Sequence, residues 1–246
     1  MSVTKQTVYF ITGANRGIGL GLVKALSDRS DVLIFATARE PKKADALNAL
    51  AKEKGNIEVV QLEVTSEESA ATAAQVVEDK VGKVDVIIAN AGISEEAAYG
   101  PLLEQPLDTY RRHFEVNTLG PVILVKAFVS LLSKGENPRF LLVSTGGASF
   151  GLAYPMPITP YSVSKTAANF FALKVHQELT NITTLALSPG LVQTDMGSFG
   201  ADFLGLKEMA ITVESSVEGI VKLADVANRE THSGKFWDYT GEVLPW

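Results

Sequence analysis

The residues of this chain that could do chemistry fall in short clusters, each directly after an apolar run. Thr12-Gly13-Ala14-Asn15-Arg16-Gly17-Ile18-Gly19 reads G-x-x-x-G-x-G. Glycines let a backbone turn tightly and approach a pyrophosphate closely, and a helix starting there offers free N–H groups to phosphates. About twenty residues on, the second apolar run ends Ala36-Thr37-Ala38-Arg39. An acid there would accept from a free ribose 2′-hydroxyl. Arg39 stands in that region instead, with Arg16 as a second cation, so a 2′-phosphate is the better partner. Each charge-assisted bond is worth roughly 1.5–3 kcal/mol. These residues predict NADPH as cofactor in preference to NADH.

Tyr161-Ser162-Val163-Ser164-Lys165 places a phenol and an ammonium four residues apart, on one helix face. A nearby cation is expected to lower the phenol pKa from about 10. Such a phenol can give a proton to a carbonyl oxygen as hydride reaches its carbon. Chance alone supplies this pairing in about a third of chains of this composition. Its position downstream of a nucleotide loop gives it weight. Asn90-Ala91-Gly92, Asn117, Ser144-Thr145-Gly146-Gly147 and the run from Pro189 and Gly190 to Val192 and Thr194 are further candidates. Each of these alone also reads as a cap or a turn.

Strand-like runs at Val8–Thr12, Val32–Thr37, Ile57–Val64, Val84–Ala89, Phe140–Ser144, Thr183–Leu187 and Phe236–Tyr239 must position these clusters. Several are apolar at consecutive positions, as strands buried on both faces are. Amphipathic stretches alternate with them, at Leu20–Ser27, Ser66–Lys80, Tyr110–Leu132, Ser162–Glu178 and Val213–Asn228. Strand–helix alternation predicts an α/β fold with a doubly wound parallel sheet of about seven strands, in one domain spanning residues 1–246. Ligands of such sheets bind beyond the carboxyl ends of the strands, where the clusters fall.

Composition narrows the chemistry. With 46% hydrophobic and 20% charged residues the chain is of ordinary globular type. No cysteine is present, which excludes disulfides, thiolate metal sites and a cysteine nucleophile. A net charge of −6 gives no nucleic-acid footprint. No apolar run is expected to reach membrane-spanning length, and the N-terminus lacks the features of a leader peptide. A reducing cytoplasmic compartment is the expectation. The three histidines, His113, His176 and His232, read as surface or helix-packing residues.

In this order, TGANRGIG, NAG, Asn117, YSVSK and SPGLVQT resemble the short-chain dehydrogenase/reductase family over essentially the whole chain. SPGLVQTDMG and the ending YTGEVLPW further resemble its Sniffer-like carbonyl reductases and fungal ketoreductases. The resemblance implies a Rossmann-type sheet and reduction of a ketone or aldehyde with Tyr161 as proton donor. It implies that Lys165 lowers the Tyr161 pKa and holds the nicotinamide ribose. Asn117 would hold a relay water, Asn90 would lie along the adenosine ribose, and Val192 and Thr194 would fix the carboxamide. It also implies a dimer or tetramer.

Two departures stand out. Where the family carries Ser-Ser after the fifth strand this chain has Ser144-Thr145, so Thr145 takes the place of the carbonyl-binding hydroxyl, with Ser149 and Ser144 as rivals. Where an aspartate usually helps to seat the adenine, the chain has Glu63-Val64, a longer acid that reaches the same atoms or turns to solvent. The segment 195–208, with Met196, Phe199 and Phe203, is expected to form a lid that moves at its glycines. Phe150, Leu152, Tyr154 and Met156 are expected to form the opposite wall. Together they suit an apolar or aromatic carbonyl substrate. A nucleotide-responsive regulator without turnover, or an NAD-dependent alcohol dehydrogenase, remains as an alternative.

Overall fold

The computed structural model describes residues 6–246. Strands β1 (Thr7–Ile11), β2 (Val32–Ala38), β3 (Ile57–Gln61), β4 (Val86–Ala89), β5 (Arg139–Val143), β6 (Thr183–Ser188), β7 (Lys235–Asp238) and β8 (Val243–Leu244) form one sheet. Its order is β3-β2-β1-β4-β5-β6-β7-β8. All neighbouring pairs are parallel except β7–β8. The expected seven strands are there, with ends that differ by up to three residues. The eighth is a two-residue antiparallel addition, with Phe236 opposite Leu244 and Trp237 opposite Val243. It is too short to show a period in the sequence.

Consecutive apolar residues in the strands follow from burial on both faces. Tyr9 and Ile11 enter one core, with α1 (Gly17–Ser27), α2 (Asp45–Lys54) and α8 (Val213–Val226). Val8 and Phe10 enter the other, with α3 (Glu67–Val81), α5 (Gly120–Ser133) and α6 (Thr159–Glu178). Strand order reverses between β1 and β4, which opens a crevice at their carboxyl ends.

Helix α4 (Leu107–His113) runs through a π-turn at Phe114–Leu119 into α5 as one helix, Leu107–Ser133. This helix is 27 residues long with a stretch of mean hydropathy 1.6, so by length and composition it could cross a membrane. The expectation that no segment reaches that size is therefore corrected. Its apolarity has a local use, because Leu124, Phe128, Leu131 and Leu132 belong to the second core. Helix α7 (Asp195–Leu204) occupies most of the segment read as a lid.

Candidate active site

The glycine loop is held from two sides. The Thr12 hydroxyl accepts from the backbone N–H groups of Asn90 (3.0 Å) and Ala91 (2.9 Å). The Asn90 amide donates back to the carbonyls of Thr12 (3.0 Å) and Gly13 (3.1 Å). Gly13 and Gly17 have φ of 65° and 55°, a backbone that side chains disfavour. Helix α1 starts at Gly17 with no side-chain cap and no acid in its first turn, so its N–H groups are open to an anion. Asn15 is exposed, Ile18 is half-buried and Gly19 packs against the Gly13 carbonyl. These residues form a cradle suited to a pyrophosphate. Asn90 serves it by bracing the loop with its amide.

The two arginines behave differently. Arg39, just past β2, is exposed and has no ion-pair or hydrogen-bond partner among the described residues. Arg16 extends to Asp195 at the start of α7, at 3.2 Å. Both partners are largely exposed, so this pair is weak and can be exchanged. The Glu63 carboxylate turns back onto its own turn, accepting from the Thr65 hydroxyl (3.1 Å) and N–H (3.3 Å). It is thus engaged locally. Val64 beside it touches the end of the π-turn at Gly120.

Lys165 and Asn117 meet under Gly92. A Cβ on Gly92 would lie 3.1 Å from both the Asn117 Oδ1 and the Lys165 Nζ, so only glycine lets this turn close over them. Asn117 sits in the π-turn and is fully buried. Its Oδ1 accepts from the Ile93 N–H (2.8 Å), and its Nδ2 donates to the Ile93 carbonyl (2.9 Å) and the Ser164 hydroxyl (3.0 Å). Its side chain therefore joins three segments. The Lys165 ammonium is 4% exposed and donates to the Val143 carbonyl at 3.0 Å. Burial lowers its pKa to about 8.

Tyr161 lies one turn before Lys165 on α6. Its phenol pKa is raised, not lowered as the spacing suggested. Burial and the neighbouring Tyr99 push it up, and the nearby Thr145 side chain pulls it partly back. Desolvation wins, and the Lys165 ammonium is directed to a backbone carbonyl. The phenol thus stays protonated at neutral pH.

Among the three hydroxyls weighed at the end of β5, geometry separates the roles. The Thr145 side chain lies beside the Tyr161 phenol, and its hydroxyl accepts from the Gly147 N–H at 3.2 Å. Ser149 donates to the Pro245 carbonyl (2.6 Å) and accepts from the Leu152 N–H (3.0 Å), so its hydroxyl is committed to structure. The Ser144 hydroxyl is buried with no partner among the described residues.

Leu152, Tyr154 and Met156 close on the Gly146-Gly147 turn beside Thr145. Phe150, expected with them, is 80% exposed. On the opposite side Ser216 donates to the Pro189 carbonyl (2.7 Å), and Gly190 packs on Ile211 and Tyr239. Val192 pairs with Ile211 in an isolated bridge, and Thr194 caps α7 by accepting from the Gly197 N–H. Gly205, the C-cap of α7 with φ 67°, has nothing within 4 Å of where a Cβ would lie, whereas the two glycines inside the helix are packed. Gly197 lies against the Val192 carbonyl and Gly200 against the Tyr99 hydroxyl, so both permit close approach. Tyr99 meets Phe199 and Phe203 edge-on at 4.9 and 5.1 Å, and its hydroxyl bonds Ser94.

Thr12, Tyr99 and His113 were not singled out as site residues in the sequence. Thr12 carried a signal, a hydroxyl on the last residue before the glycine loop. Tyr99 lies in an irregular loop and carried none. His113 does pack between helices as expected, but its neighbour is Tyr161, with ring centroids 6.4 Å apart.

Comparison with known proteins agrees with this geometry. The family model described as short chain dehydrogenase matches residues 7–202. The norsolorinic acid ketoreductase of Aspergillus parasiticus is 37% identical, with 98% of this chain and 92% of that protein covered. The NADPH-bound carbonyl reductase from chicken fatty liver superposes with a TM-score of 0.89 at 30% identity, over 98% of this chain and 100% of the other. The carbonyl reductase Sniffer of D. melanogaster gives the same TM-score and coverage at 26% identity. The motif order, the sheet that carries it and these likenesses place the chain in the short-chain dehydrogenase/reductase family of oxidoreductases.

Proposed function

We propose that the protein reduces an apolar or aromatic ketone or aldehyde with NADPH. One observation carries the reading: Thr145, at the end of β5, has its side chain beside the Tyr161 phenol of α6, whose raised pKa keeps it a neutral donor. Two neutral donors so placed can both bind one carbonyl oxygen, and such preorganised donors stabilise the charge that develops on it. The ketoreductase and carbonyl reductase relatives support the same reaction class.

In this reading Gly13, Asn15, Gly17, Ile18 and Gly19 hold the pyrophosphate. Arg39 takes the 2′-phosphate, joined by Arg16 when it leaves Asp195. Val64, Ala91 and Gly92 line the adenosine side, while Pro189, Gly190, Val192 and Thr194 form the nicotinamide side. NADPH, when bound there, would supply the hydride for the carbonyl carbon. Thr145 orients the oxygen and Tyr161 passes its proton to it. Lys165, with a pKa near 8, is charged at pH 7 yet able to exchange a proton, so it can restore the phenol. Asn117 keeps the Ile93 backbone and the Ser164 hydroxyl, one residue before Lys165, in register. Leu152, Tyr154, Met156 and the aromatic face of α7 favour an apolar substrate.

The test is NADPH consumption with aromatic ketones, aldehydes, diketones and quinones, run beside Tyr161→Phe. Turnover that falls at least a hundredfold in the variant is the expected result. A protein that binds NADPH but leaves the panel untouched would contradict the reading. Oxidation of alcohols with NAD faster than reduction with NADPH would reverse it.

A further inference from the structure

His113 is completely buried beside the centre of the site. Its Nδ1 lies 2.7 Å from the Thr109 carbonyl, which can only accept, so Nδ1 carries the proton. Its Nε2 therefore accepts, from the Glu95 N–H at 3.2 Å. The backbone thus imposes a neutral imidazole in one tautomer. The ring stands edge-to-face to Tyr161 at an interplanar angle of 79°, within the range of favourable aromatic pairs. Next to it, Arg112 grips the Glu95 carboxylate at 2.6 Å. Two consecutive residues of α4 therefore hold one loop residue by its backbone and by its side chain. The same loop carries Ile93, which brackets Asn117, and Tyr99, which meets α7.

We propose that His113 is a positioning residue for the proton donor: its neutral ring fixes the 93–99 loop and the face of Tyr161, and protonation releases both. This rests on the reading of Tyr161 given above. The groups facing the ring are Tyr161 and Lys165 from α6, Glu95 from the loop and Arg112 from α4. A proton on Nε2 would set two N–H groups against each other and bring a cation towards Lys165 and Arg112. Glu95 would favour the cation, but its carboxylate is already paired with Arg112. Burial keeps the His113 pKa below its ordinary value, so the release falls on the acid side of neutrality.

Wild type, His113→Gln and His113→Phe are to be compared between pH 4.5 and 8, at saturating carbonyl and NADPH. Gln can donate and accept as the imidazole does but cannot be protonated. Phe keeps the ring but loses both hydrogen bonds. The wild-type kcat should fall at least fivefold, reversibly, as the pH is lowered to 4.5, and the Gln variant should lack that fall. The Phe variant should have a kcat about tenfold lower at pH 7, with NADPH affinity by fluorescence unchanged within twofold. The 15N spectrum of the wild-type imidazole should show the neutral Nδ1–H tautomer at pH 7. Should the Phe variant fail to fold, the Gln profile and the 15N spectrum decide alone. Matching acid limbs in wild type and Gln variant would overturn the proposal, as would a cationic imidazole at pH 7. A wild type that binds NADPH and turns over no carbonyl at any pH would remove the underlying reading instead, and the proposal with it.

Discussion

Replacing Lys165 with Met should make the protein more stable while removing its turnover. The ammonium is 4% exposed, and its one hydrogen bond goes to the Val143 carbonyl. Burial lowers the pKa from 10.5 to about 8. At 1.36 kcal/mol per pKa unit, folding disfavours the charged form by about 3 kcal/mol. Met is of similar length and uncharged, and loses a bond worth about 1 kcal/mol. The net gain at pH 7 is about 2 kcal/mol, or about 4–8 °C in Tm for a chain of this size. Between pH 8 and 10.5 the unfolded chain holds the Lys165 proton more tightly than the folded one. Wild-type stability therefore rises through that window from this group, and the gap to the variant narrows. The Tyr161 phenol acts in the opposite direction, but only above about pH 10, because its pKa is raised on folding. Urea unfolding of the apo proteins at pH 7, 8, 9 and 9.5, followed by tryptophan fluorescence, reads both effects. A Met variant less stable than wild type at pH 7, or a gap that does not change with pH, would refute the reasoning.

Three further outcomes are expected. Arg39→Asp should weaken NADPH about ten- to a hundredfold and leave NADH nearly unaffected, read as dissociation constants by nucleotide fluorescence. Gly19→Ala would put a Cβ 2.2 Å from the Gly13 carbonyl and 2.7 Å from the Asn90 amide; it should cost about 1–3 kcal/mol in urea unfolding and abolish nucleotide binding. Ser149→Ala leaves the Pro245 carbonyl and the Leu152 N–H without their partner, so KM for the carbonyl should rise several-fold with little change in kcat, whereas Thr145→Ala should lower kcat instead.

The sheet was legible because its strands are buried on both faces, and a run such as Val8–Ile11 can satisfy two cores only by being apolar throughout. The glycine loop was legible because backbone geometry at Gly13 and Gly17 restricts the residue type. What escaped depends on contacts remote in sequence. Ser149 stood as a rival to Thr145 in the sequence, where nothing shows that its hydroxyl donates to the Pro245 carbonyl, 96 residues away. The tyrosine–lysine spacing was right, but spacing carries no information on burial, which set the direction of the phenol shift. The glycines of the 195–208 segment suggested motion; that Gly197 and Gly200 are also close contacts to Val192 and Tyr99 depends on partners the sequence does not mark. His113 could be placed on a helix from its neighbours, but only the fold brings it against Tyr161.

The double brace between Thr12 and Asn90 bears on how a nucleotide arrives and leaves. Four hydrogen bonds already shape the loop before anything binds, so little chain entropy remains to be lost on association. Capture should then be a single step, limited by encounter and orientation and not by rearrangement. Nucleotides that differ only in the ribose phosphate would enter at similar rates. Selection between them would lie in residence time, set by how long an arginine at the rim retains the phosphate.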